Sequence, residues 1–285
     1  MNRFVCGAPL LLLALLVPTS SGAHHVVSEA GVAWVEPNSR AEVSMESASF
    51  DHGEDWRGRY LRLSMSGEVR LHERFSVGAR MPWALVGFDD GRGVLGTGDA
   101  EINGRALLFS SMHGGLILSA GLGAELPTGV VEDGLGAGHL ELAPFVVASS
   151  QPWRNLIFTL LVVDALSPRE LREDDAQAQT NVGGPHGAVI SPHAAHQLTT
   201  RLTASWVFPK RLHLTTGAEL ERPWRVGDAE RAPNTLWWRG ELGIREQGRW
   251  RAALITRVPV SGGEEEGTSV SLAFARMFDV ALLGR

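Results

Sequence analysis

The chain has 285 residues, a net charge of −6 and a single cysteine, Cys6, close to the N-terminus. A disulfide scaffold and thiolate metal or redox sites are therefore excluded, and 26 basic against 32 acidic side chains leave no basic footprint for nucleic acid. No stretch approaches the roughly 20 consecutive apolar residues that a helical membrane span needs.

Residues 1–23 read as a signal peptide. Arg3 precedes an apolar run from Leu10 to Val17, Pro18-Thr19-Ser20-Ser21 closes it, and Ser21-Gly22-Ala23 places small residues before a cleavage site at His24. Residues 24–40 then form an N-terminal periplasmic segment, 41–278 a β-barrel and 279–285 a C-terminal tail.

From residue 41 onward the signal has period two. In Arg62-Leu63-Ser64-Met65-Ser66-Gly67-Glu68-Val69-Arg70 the polar side chains share one face, and Leu63, Met65 and Val69 share the other. Alternation sustained this long marks strands with one apolar and one polar face. In chain order the strands are expected near 41–51, 59–71, 75–87, 98–109, 115–127, 138–149, 155–166, 196–208, 211–222, 234–246, 249–260 and 268–278. Each has the length of a tilted membrane-crossing strand, longer than is usual in soluble sheets. Short turns at 72–74, 110–114, 150–154, 209–210 and 247–248 alternate with longer polar loops near 52–58, 88–97, 128–137, 167–195, 223–233 and 261–267. An even-stranded, antiparallel up-and-down transmembrane barrel of about twelve strands, with both termini periplasmic, produces that order.

Aromatic residues add to this. Phe109, Trp153, Trp206, Phe208, Trp250 and Phe278 lie near the short turns, while Trp56, Trp83, Phe88, Trp224, Trp237 and Trp238 lie toward the long loops. Two such groups are expected to form interfacial girdles. Localisation in a Gram-negative outer membrane follows, with lipid, lipopolysaccharide and the barrel-assembly machinery as partners. A secreted soluble sandwich shares the alternation but not the strand length.

The residues after the predicted cleavage site, His24-His25-Val26-Val27-Ser28, resemble the His-His-Gly-x-Ser start of some outer-membrane transporter-like β-barrel proteins. Pro82-Trp83 near a strand end and Gly96-Thr97-Gly98-Asp99 leading into the next strand resemble the same broad group, which includes proteins associated with the meta-pathway of phenol degradation. The resemblance covers about a third of the chain and implies an outer-membrane, porin-like channel or transporter for small molecules.

If the apolar face meets lipid, the polar face lines the lumen. The inward cations are then Arg62, Arg70, Arg80, Arg105, Arg201, Arg239, Arg245, Arg251 and Arg257. The inward anions are Glu42, Glu46, Glu68, Asp99, Glu101, Glu125, Glu141, Glu219 and Glu241. A strongly selective ion pore carries an excess of one sign, whereas this balance suits cross-strand pairing. Two readings stay open: a channel for small solutes, hydrophobic or aromatic ones among them, and a structural or ligand-binding barrel closed by an Arg/Glu network. An outer-membrane enzyme is a third, weaker one. No Gly-x-Ser-x-Gly elbow or His-Glu-x-x-His motif is present, and neither His139 nor His213 has a Ser two residues on, so the expectation is a non-enzyme without cofactor. His24, His25, His186, His193 and His196 are weak metal candidates, because His193-x-x-His196 has no accompanying Cys or Glu spacing. The acidic stretches 170–175 and 264–266 are expected in solvated loops.

Overall fold

A computed structural model describes residues 35–51, 57–111, 115–167, 196–209, 212–223, 235–246, 250–261 and 267–278. The signal segment, the C-terminal tail, the acidic stretches 170–175 and 264–266, and His24, His25, His52, His186, His193, Trp56 and Trp224 lie outside the described residues. So do the side chains of His196 and Arg245.

The strands are β1 (Ser39–Asp51), β2 (Arg57–His72), β3 (Phe75–Phe88), β4 (Gly93–Thr97), β5 (Ala100–Ser110), β6 (Leu116–Leu126) and β7 (Glu141–Trp153). They continue as β8 (Leu156–Leu166), β9 (His196–Val207), β10 (Leu212–Pro223), β11 (Thr235–Glu246), β12 (Trp250–Ser261) and β13 (Ser269–Phe278). Every pairing is antiparallel, and β1 bonds both β2 and β13 while β2 bonds β3, so the sheet closes on itself. The result is a closed barrel of twelve strands. Closure is what makes a strand structure tolerable in hydrocarbon, since it leaves no unpaired edge. We call the end carrying Ser39 and Phe278 the terminal end, and the opposite one the loop end.

Side chains divide by parity. Outward positions such as Val43, Met45, Leu63, Met65, Leu122, Leu242, Leu254 and Leu272 are exposed, whereas Glu42, Ser44, Glu46, Arg62 and Ser64 on the same strands are buried. An arginine facing lipid at mid-membrane costs about 2–4 kcal/mol, which is enough to fix this orientation. The outward Arg59 and Arg276 fall near strand ends, at interfacial depth where that cost fades.

The long loop expected at 88–97 is instead a hairpin. β4 pairs with β3 from Gly87↔Gly93 to Trp83↔Thr97, and β5 continues along the same edge from Arg80↔Glu101. One extra residue around Gly98-Asp99 separates the two segments, so β4 and β5 form a single bulged wall strand. Between β3 and β4, Gly91 takes φ 90°, a conformation open to glycine. Asp90 accepts the backbone N–H of Arg92 at 2.9 Å and its Nε–H at 2.5 Å. These bonds, the backbone one first, hold the Asp90 carboxyl below its usual range. The expected turn at 150–154 also shrinks, because β7 runs on to Trp153.

Of the expected aromatic girdles, Phe109, Trp153, Trp206, Phe208 and Phe278 are exposed on the outer face toward the terminal end, and Trp238 toward the loop end. Trp237 and Phe88 do not belong to them. Both have inward parity, and both are buried within the barrel.

Candidate functional site

Among the described residues the barrel interior gathers the buried polar groups, and three walls line it. The first is an ionic wall on β1, β2, β3 and β5. Arg62 pairs with Glu46, Arg40 with Glu68 at 3.2 Å and Arg80 with Glu101 at 3.2 Å. Ser76 donates to Glu68 at 2.6 Å, and Arg80 donates to Ser64 at 3.1 Å. These partners occupy facing or near-facing register positions, so the pairing follows from strand alignment and not from loop folding.

The second is an ionic wall on β9 to β12. Glu219 pairs with Arg201 and, at 2.9 Å, with Arg257. Arg257 also reaches Glu221, whose second oxygen accepts the Trp237 indole N–H at 2.8 Å. Nearer the terminal end, Glu241 joins His213 at 2.7 Å and Arg251, and the His213 Nε2 lies 3.3 Å from Arg251. Arg239 is buried between these two groups on β11.

The third wall departs from expectation. Beyond Glu141 on β7 and beyond Thr159 on β8 the inward positions are Ala143, Phe145, Val147, Leu161, Val163 and Ala165, all buried and joined by the half-buried Ile117 of β6. Polar lining all round the lumen was expected, and over these stretches the two strands are apolar on both faces. The signal was in the sequence: from Leu142 to Ala148 and from Leu160 to Val163 alternation gives way to continuous apolar residues, the pattern of a strand buried on two sides.

The chain ahead of β1 lies against that wall. Val35 is buried in the same apolar cluster, and its carbonyl accepts the Ser119 hydroxyl of β6 at 2.5 Å. Since β1 and β7 stand on opposite sides of the ring, residues 35–38 pass across the interior near the terminal end.

At the loop end, the segment between β6 and β7 folds inward. Leu135 is fully buried among Ala48, Phe50, Tyr60, Ala84, Val86 and Phe88, a second apolar patch that alternation alone did not mark. Asp99, expected among the lumen-lining carboxylates, holds this segment instead. Its two oxygens accept the backbone N–H groups of Gly129 at 2.7 Å and Ala137 at 2.5 Å. Below it, Glu101, Glu125 and Glu141 face one another across β5, β6 and β7.

Of the remaining sequence candidates, Glu68, Arg105, Glu125, Glu141, Glu219, Glu241, Arg251 and Arg257 are buried at inward positions, while Arg70 and Arg201 are half-buried there. Sequence reasoning missed Arg40, Glu221, His213, Trp237 and Ser119 as members of the interior. The parity of their strands was the available signal for all five. Among the described residues, no group of three or more His, Cys, Asp or Glu side chains is placed to hold a metal ion.

Against solved structures, the COG4313 outer membrane channel from Pseudomonas putida F1 matches with a TM-score of 0.63, covering 89% of this chain and 100% of that one at 12% identity. The chain has the fold of an outer-membrane β-barrel. The KdgM porin also matches this barrel, with a TM-score of 0.50 over 83% of this chain and 99% of that one at 10% identity. No protein-family model matches the chain, and no curated protein does.

Proposed function

We propose that the protein is an outer-membrane channel for small solutes, hydrophobic and aromatic ones included. It is exported by residues 1–23 and inserted with both termini periplasmic. One observation carries this reading: the interior sets an apolar wall of Phe145, Val147, Leu161 and Val163 against two walls of paired Arg and Glu. A barrel filled only to be stable needs no such asymmetry, whereas a passage for molecules with an apolar body and a polar group does. The two barrels similar in fold are named as a channel and a porin, which supports the class without naming a solute. The reading includes no catalytic step, and the His213 imidazole is committed to Glu241 and Arg251. Lipid and lipopolysaccharide on the outer face, and the barrel-assembly machinery during insertion, are the partners this location requires.

Reconstitution into planar bilayers tests it. Stable conductance steps, with uptake of small aromatic solutes by swelling liposomes, are the expected result. A folded, heat-modifiable barrel that stays silent and admits no solute overturns the channel reading. It would favour the second one, a structural or ligand-binding barrel, which draws on Val35 and Leu135 occupying the interior near opposite ends.

A further inference from the structure

In the ionic wall of β1 to β5, two inward arginines lack an ion pair with the described residues: the half-buried Arg70 and the deeply buried Arg105. Arg40 is paired with Glu68 and lies 3.8 Å from Glu42, while Arg80 is paired with Glu101. Arg105 is 5% exposed, yet its side chain makes no ion pair or hydrogen bond with the described residues, and neither Nε nor Nη1 has an acceptor. A guanidinium taken out of water is costly unless an acceptor compensates it, so an unmatched one this deep marks a place where an anion is stabilised.

Two further features sit beside it. A cavity of about 20 Å³ lies among Arg40, Arg80, Arg105, Glu68, Glu101 and Asn103. That is room for one water-sized polar group. With three arginines to two glutamates, its lining carries one positive charge in excess. On the other side, the Arg105 guanidinium carbon stands 5.8 Å from the centre of the Phe145 ring. Phe145 reaches this position because Gly121 of β6 has no side chain: a Cβ there would lie 2.3 Å from the ring. Phe145 opens the apolar wall that runs on through Val147, Leu161 and Val163. Val35 packs in the same cluster and bounds that wall with the chain's own N-terminal segment.

We propose that Arg105 is the carboxylate-binding residue of a lumen site for small organic acids with an apolar body. One carboxylate oxygen enters the cavity, the free N–H groups of Arg105 donate to the carboxylate, and the body lies on Phe145. A charge-assisted pair of hydrogen bonds suits a planar carboxylate, and Glu68 and Glu101 keep Arg40 and Arg80 from drawing it away. Neutral apolar solutes meet the same wall without this anchor. As a statement about solute class the proposal rests on the channel reading; as a binding site it does not.

The experiment is calorimetric titration of the folded barrel in detergent at constant ionic strength, with benzoate, benzyl alcohol and acetate as probes. Saturable benzoate binding is expected, with benzyl alcohol and acetate each weaker by about tenfold or more. Arg105→Gln should remove the preference for benzoate over benzyl alcohol. Phe145→Leu should weaken benzoate and leave acetate unchanged. Because Arg105 has no acceptor among the described residues, the Gln variant should unfold at a midpoint no lower than the wild type's, which separates lost binding from lost folding. Absence of benzoate binding overturns the proposal, and so do equal affinities for benzoate and benzyl alcohol or full binding by Arg105→Gln. Conductance is recorded on the same preparation. A conducting barrel that binds no benzoate fails this proposal alone, and a silent barrel that binds it fails the channel reading alone.

Discussion

Trp237 donates its indole N–H to Glu221 at 2.8 Å inside the barrel, and both side chains are almost wholly buried. The Arg257 guanidinium carbon lies 3.8 Å from the centre of the same indole, so one aromatic ring serves an anion at its edge and a cation at its face. Replacing Trp237 by Phe keeps a ring under Arg257 and removes the donor to Glu221. The expected loss is about 1–3 kcal/mol of stability, the cost of a buried acceptor left short of a partner. Equilibrium unfolding in detergent measures it, and an unchanged midpoint would show that Glu221 does not depend on this bond.

The His213–Glu241–Arg251 group is buried as a unit. Arg251→Met leaves Glu241 charged and one partner poorer, and the expected loss is about 3–5 kcal/mol. Arg251→Met combined with Glu241→Leu removes both charges and should recover most of that loss. If the double variant is no more stable than the single one, the two residues are not coupled as the geometry requires.

Asp99 fixes the segment between β6 and β7 by two backbone N–H groups, one on each oxygen. Asn presents a single carbonyl oxygen, so Asp99→Asn should free one of those contacts and loosen the segment around buried Leu135. Glu132 lies within it and supplies a cleavage point for a glutamate-specific protease. Cleavage there is expected to be faster in the variant, with the rest of the barrel resistant. Equal rates in the two proteins would remove Asp99 from this role.

Val35 gains about 1.5–3 kcal/mol from burial on the apolar wall. In Val35→Asp, an unpaired carboxylate at that position costs several kcal/mol and exceeds the gain, so residues 35–38 should leave the wall. Because β1 starts at Ser39, the barrel itself should persist. Higher single-channel conductance is expected, together with faster thiol labelling of a Ser119→Cys probe. Unaltered labelling would place the segment elsewhere.

Strand positions were legible because hydrocarbon outside and charge inside leave a two-residue period with few exceptions. Arg62, Glu68, Arg80 and Glu101 were identified as inward from alternation alone, and their burial agrees with that parity. The pattern is blind where both faces are apolar, so Phe145 and Leu161 gave no sign of which side they occupy. It is equally blind to a segment that folds inward from a connection, as Leu135 does. The hairpin at β4 was missed for another reason. Gly93 and Gly96 read as a loop, whereas the backbone uses them in a strand. Trp237 and Phe88 were assigned by distance from the chain turns, and parity was the better guide.

The extra residue at Gly98-Asp99 acts on the chain as an insertion acts on a reading frame. Before it, even-numbered residues such as Val94 and Gly96 face the interior cluster; after it, odd-numbered residues such as Glu101 and Arg105 do. Deleting Gly98 would leave every following side chain of β5 in the opposite phase, sending Arg105 toward lipid and Ile102 into the interior, unless the strand shifted its pairing with both neighbours. A length change at this step reverses the phase of the strand, which no substitution does: here the number of residues carries information that their identity does not.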